Sequence, residues 1–208
     1  MLATRERNYN ANMAAEDTAI DFGGDRRQLH RFSLDEYHQL IEAGGFDEDA
    51  RVELIEGVLL DMSPKTREHE QAIWWLARWL IEALDRKNFD VGIGSPITTD
   101  NSEPEPDLAV FPKNAPRPYH PGTAALVIEV AVSSHRRDLR QKPIVYARAG
   151  VAEYWVIDID KGRVVVHRTP TGDGYESIVT VPGDGRIKAQ ALELPELDVG
   201  ELLAAAHS

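Results

Sequence analysis

Apolar residues recur at spacings of three and four in three stretches of the chain. In the first, Ser33 stands as a helix N-cap with Glu36 three residues on, ahead of Tyr37, Leu40 and Ile41, and Gly44 and Gly45 close the helix. The second runs over about 66–86, with Ile73, Leu76, Ala77, Leu80 and Leu84 on one stripe that His69 extends back by a turn. The third spans about 138–149 and ends at Gly150. Pro143 near its start predicts an irregular first turn, and Asp138 with Gln141 predicts a capping box. A short helix over 198–206 ends the chain. Between the helices lie β-rich runs. Residues 52–55 and 58–62 flank Glu56-Gly57 and predict a hairpin closed by Pro64; 89–93 with 97–99 reads as one bent strand; 108–111, 125–132 and 153–158 are further strands. Residues 163–168, 175–181 and 187–194 read as a β-meander. The pattern predicts an α/β fold, a mixed β-sheet flanked by helices with a β-rich C-terminal extension. Residues 1–28 lack periodicity and read as a flexible tail, which leaves 29–208 as a single domain.

Composition narrows the chemistry. The chain has 208 residues, 42% apolar and 28% charged, as in ordinary globular proteins. With no cysteine there is no disulfide, no thiolate nucleophile and no Cys-bound zinc or iron–sulfur cluster, so any metal must sit on oxygen or imidazole. A cytoplasmic location is the expectation. No apolar run approaches the roughly 18 residues needed to span a bilayer, and the first residues lack the apolar stretch of a signal peptide. Thirty-five acids against 23 bases give a formal charge of −12, which argues against nonspecific binding to polyphosphate. No G-x-S-x-G elbow or Walker A sequence occurs, and Gly92-Ile93-Gly94 lacks the third glycine of a dinucleotide fingerprint.

What remains is a set of charges placed where burial is expensive. Glu129 interrupts the apolar run 125–132, which is expected to be buried on both faces, and shares a face with Val127 and Ala131. Asp107 opens a neighbouring strand and points to the side of Ala109 and Phe111. On the helix that follows, Asp138, Lys142, Tyr146 or Val145, and Ala149 fall on the face that packs on the sheet, which turns Lys142 inward. Arg137, Arg148 and either Arg140 or Gln141 are expected on the solvated side. Two acids and a lysine near one strand end are the minimal set for metal-assisted phosphodiester hydrolysis. Trp74, Trp75 and Trp79 read as core or dimer contacts.

The order of these elements, with Asp107 in Glu105-Pro106-Asp107 and Glu129 in 126–130, resembles the PD-(D/E)XK nuclease core. More narrowly, residues 146–158, Asp138 followed by Lys142, the hairpin 52–57, and Met62-Ser63-Pro64 before His69 are similar to the Uma-type restriction endonuclease family, over about residues 30–203. The superfamily's lysine would stand two residues after the glutamate, where this chain has Ala131; the resemblance implies that Lys142 substitutes for it. It also implies a restriction-endonuclease-like core, with Asp107 and Glu129 as metal ligands. Glu53 and His69 match further family positions, as an additional ligand, a water-positioning group or a phosphate contact.

The expected function is an endonuclease, dependent on Mg²⁺ or Mn²⁺, that hydrolyses DNA phosphodiester bonds. Two alternatives stand beside it: a catalytically inactive nuclease-fold module for binding or assembly, and a metal-dependent hydrolase of a smaller phosphoester. A homodimer is expected because two strands need two active sites. The acidity is local. Residues 33–62 hold nine acids and one base, whereas 130–150 hold five bases and one acid, so Arg136, Arg137, Arg140 and Arg148 are the expected phosphate contacts.

Overall fold

The structure, a computed structural model, describes residues 30–47, 50–132 and 137–208; the expected tail over 1–28 and Arg136 lie outside them. Helix α1, Leu34–Glu42, starts at Ser33, whose side chain accepts the Glu36 N–H while the Glu36 carboxylate accepts the Ser33 N–H. Strands β1, Val52–Ile55, and β2, Val58–Asp61, form a two-stranded hairpin. Its turn residues, Glu56 and Gly57, have φ of 49° and 77°, the left-handed pair of a type I′ turn. A Cβ at Gly57 would come within 2.7 Å of Arg31 Cβ, so the close passage of that segment also needs glycine.

Helix α2, Arg67–Ala83, is capped by the Thr66 hydroxyl and precedes the main sheet. That sheet has six strands in chain order: β3, Phe89–Ile93; β4, Leu108–Pro112; β5, Leu126–Ala131; β6, Glu153–Asp158; β7, Arg163–Thr171; and β8, Gly174–Pro182. Only the β5–β6 pair is parallel. Its crossover is a π-helical turn over Arg137–Gln141 that passes into helix α3, Lys142–Arg148. Strands β9, Arg186–Ile187, and β10, Leu197–Asp198, pair separately before helix α4, Val199–Ala206. Alternation along the strands divides the core between two faces. Leu126, Ile128, Trp155 and Ile157 pack with Leu76, Leu80 and Leu202 on the α2 and α4 side. Val127, Ala131, Tyr154 and Val156 pack with Tyr146 and Ala147 on the α3 side. Among the described residues, no helix is long and apolar enough to cross a membrane.

Four local expectations change. Residues 97–99 do not continue β3. Gly94, at φ 56°, turns the chain, and the Ile97 and Thr99 N–H groups donate to Pro104 and Ser102 instead of to a strand. The helix expected over 138–149 is divided, because Pro143 lacks an N–H and its ring excludes a regular turn before it, so a π turn fills the gap. Among the described residues no capping box forms there: Gln141 makes no side-chain cap bond, and Asp138 is buried. Finally, the third strand expected in the C-terminal meander, over 187–194, does not form. Strands β7 and β8 extend the main sheet, and only Ile187 of 187–194 lies in a strand. The segment after it is pinned by buried Glu153, whose carboxylate accepts the Gln190 and Ala191 N–H groups, the Trp155 indole and Arg168.

Behind α3, His167 is 2% exposed and lies between the Tyr154 and Tyr175 rings. Burial drives its pKa down from 6.5 to about 4, outweighing its backbone hydrogen bonds. The folded state therefore holds His167 neutral, and its contribution is complete above the unfolded value and lost as pH falls toward about 4. Urea unfolding should show roughly 3 kcal/mol of acid-dependent destabilisation across that window from this group, and His167→Gln should flatten that slope.

Candidate active site

The site is assembled where β5 and the start of β4 meet α3 and the hairpin. The Lys142 side chain leaves the first residue of α3 and is buried, with Nζ 2.8 Å from Glu129 Oε1, 3.1 Å from Glu53 Oε2 and 3.9 Å from Asp138 Oδ1. Glu129 Oε1 also accepts the Tyr146 hydroxyl at 2.8 Å, one helical turn beyond Lys142. Two donors thus hold one Glu129 oxygen, while Oε2 accepts no hydrogen bond among the described residues and Glu129 lines the cleft.

Glu53, 1% exposed, binds Arg137 through Oε1 at 3.0 Å and accepts the Glu105 N–H through Oε2. Asp107 Oδ2 accepts the Val130 N–H at 2.9 Å and lies 3.0 Å from His69 Nε2. This pins the acid to the strand that carries Glu129. His69 Nδ1 is buried and has no hydrogen-bond partner among the described residues. All these groups except Tyr146 line one narrow cleft of about 40 Å³, whose mouth also includes Arg51, Ser63 and Lys65.

Charge is concentrated inside it. Among the described residues its lining holds five acids, Glu53, Glu105, Asp107, Glu129 and Asp138, against four bases, Arg51, Lys65, Arg137 and Lys142, and three of the acids, Glu53, Glu129 and Asp138, are buried around Lys142. Desolvation raises the Glu129 pKa well above the usual carboxylate range. Lys142 opposes that shift, and Asp138, Asp107 and Glu53 reinforce it. Burial alone would depress Lys142, yet Glu129, Glu53 and Asp138 outweigh it and raise the ammonium above its ordinary value. The lysine is therefore a fixed cation. Among the described residues no three His, Asp or Glu side chains enclose an ion by themselves. Asp107 and Glu129, each with one oxygen that accepts no hydrogen bond among the described residues, are the side chains that could hold a hard cation together with waters or substrate oxygens.

The structure brings Asp107, Glu129, Lys142, Glu53 and His69 to this one cleft. Arg140 and Arg148 are exposed, as expected of the solvated side, and one arginine position changes. Arg137 turns inward, because buried Glu53 and the Asp61 carbonyl offer it two acceptors. Arg148 is exposed and turns to Glu56 and the Gly172 carbonyl, away from the cleft. Trp75 and Trp79 pack against the core, whereas Trp74 is 79% exposed. Tyr146 as a Glu129 donor is legible only as a residue four beyond Lys142 on the same helical face. The burial of Glu53 has no local signal, since Glu53, Leu54 and Ile55 are all buried and no alternation marks the face.

A six-stranded mixed sheet with an acid-and-lysine cleft at one strand end defines a restriction-endonuclease-like α/β fold. The chain belongs to the Uma2 family, described as "Putative restriction endonuclease", whose model matches residues 34–200. A solved structure from Anabaena variabilis, described as "a putative nuclease belonging to DUF820", is similar in fold with a TM-score of 0.69 at 15% identity, covering 84% of this chain and 99% of that one. No curated protein matches the chain.

Removing the central cation should be costly. Lys142→Met leaves Glu129, Glu53 and Asp138 buried without their shared partner and should destabilise the fold by about 3–5 kcal/mol at neutral pH. The loss should shrink in acid as the carboxyls protonate. In denaturant unfolding, K142M with E129Q should be less destabilised than the sum of the two single variants; simple additivity would contradict the coupling.

Proposed function

We propose that the protein is an endonuclease that hydrolyses DNA phosphodiester bonds with a divalent cation, Mg²⁺ or Mn²⁺. The observation that supports this reading best is that Asp107 and Glu129, at one cleft, each keep a carboxylate oxygen that accepts no hydrogen bond among the described residues. Asp107 and Glu129 would hold the ion, with the Val130 carbonyl as a third ligand. Bound there, a hard divalent cation polarises a phosphate oxygen and makes a water more acidic.

The chain's own residues supply the rest. The Val130 N–H and His69 Nε2 fix Asp107 Oδ2 and leave Oδ1 for the cleft. Lys142 and Tyr146 do the same for Glu129 through Oε1. Lys142, held as an ammonium, neutralises charge that develops on the phosphate and orients the attacking water. Glu53 positions Lys142 and Arg137 from the hairpin side. Cutting both strands requires two active sites, which a homodimer supplies. The reading places the protein with DNA in the cytoplasm.

One observation favours a second reading, a nuclease-fold binding module without turnover. Lys142 is already bound by two buried carboxylates, as a structural ion pair would be. The variants Glu129→Gln and Asp107→Asn separate the two. In the first, the amide oxygen that replaces the carboxylate still accepts from Lys142 and Tyr146, so the fold should persist while Mn²⁺-supported DNA cleavage falls by at least about 100-fold. Cleavage at the wild-type rate in either variant would refute the assignment, and wild-type protein that binds metal without cutting would favour the binding module.

A further inference from the structure

The proposed site raises a question of approach: a polyanion must enter a cleft whose interior is itself negative. The arginines expected on the Lys142 helix do not serve the mouth. Arg137 is committed to Glu53 and the Asp61 carbonyl, Arg148 to Glu56 and the Gly172 carbonyl, and Arg140 does not line the cleft. Arg136 lies outside the described residues.

Two other cations do line the mouth, and both belong to the hairpin side of the cleft. Arg51 is the one base among residues 33–62. The Met62 N–H donates to its carbonyl at 2.9 Å, extending the hairpin by one pair and fixing Arg51 at its open end. Its guanidinium, 38% exposed, meets Met62 Sδ at 3.7 Å and Glu105 Oε1 only at 4.0 Å. Lys65 follows three residues after Met62, is exposed, and forms no ion pair among the described residues. The hairpin end and the segment leading into α2 therefore bring two cations, hardly neutralised, to the rim. The acids they face, Glu53, Asp107 and Glu129, lie deeper.

We propose that Arg51 and Lys65 form a phosphate-binding rim that grips backbone phosphates next to the scissile one. The substrate is then a nucleic-acid strand that continues beyond the reacting bond, not a small isolated phosphoester. This rests on the nuclease reading above and adds the residues that hold the strand outside the reacting bond. Contacts of this kind carry no base information; they position the strand and make affinity depend on salt.

The test is fluorescence anisotropy of the full chain with a labelled DNA duplex in Ca²⁺ over a series of salt concentrations. R51A/K65A, in two surface side chains, should keep the wild-type melting temperature yet bind about tenfold or more weakly, with the slope of log Kd against log salt reduced by about two. R51K/K65R should restore the slope. R186A removes an exposed cation on β9 that pairs with Asp198 and does not line the cleft, and should leave the slope unchanged. Wild-type DNA binding whose slope survives R51A/K65A would overturn the rim alone. Equal slope loss in R186A would overturn it too, by showing that only net charge matters. No wild-type binding at all would overturn both the rim and the nuclease reading beneath it.

Discussion

Four carboxylates and a lysine meet where a buried strand end, a helix start and a hairpin converge, and the Lys142 ammonium is the group on which their coexistence depends. Ionised acids are tolerated away from water only when a cation lies within hydrogen-bonding distance. Lys142 reaches Glu129 and Glu53 directly and stands near Asp138. It therefore ties β5, β1 and the crossover into one unit. The same contacts keep it charged, because each carboxylate that it neutralises raises its own affinity for a proton.

The irregular features of the crossover follow from this requirement. A regular helix over 138–149 is interrupted by Pro143, and the π turn before it shifts the register, so that Asp138 is buried near Lys142 instead of capping a helix. Lys142 and Tyr146 then lie one turn apart and bind the same Glu129 oxygen. Across the cleft, Asp107 accepts an N–H from the residue after Glu129, so the two acids keep their spacing through the backbone. Such preorganisation is what a site needs if its geometry is not to be rebuilt on binding.

Much of this was legible in the chain. Period-two alternation put Glu129 with Val127 and Ala131, and helical spacing turned Lys142 toward them; both follow from elementary geometry. The hairpin and the α1 cap were legible because Glu56-Gly57 and Ser33 with Glu36 are local devices. The parts that could not be read are non-local. Glu53 is buried only because Lys142 and Arg137, distant in sequence, arrive beside it. Arg137 turns inward for the same reason, against the face that helical periodicity assigns it. The segment after Ile187 has the apolar spacing of a strand, yet its N–H groups are taken by the Glu153 carboxylate, a competition that no local pattern records.

The proposed function turns on whether Asp107 and Glu129 hold a divalent cation. Calorimetric titration of the protein with Mn²⁺ at several pH values addresses it directly. Because burial raises the Glu129 pKa, a bound cation must compete with a proton, so the account predicts one site per chain, proton release on binding, tighter binding as pH rises, and loss of the site in D107N. Absence of binding, or binding that is indifferent both to pH and to D107N, would contradict it.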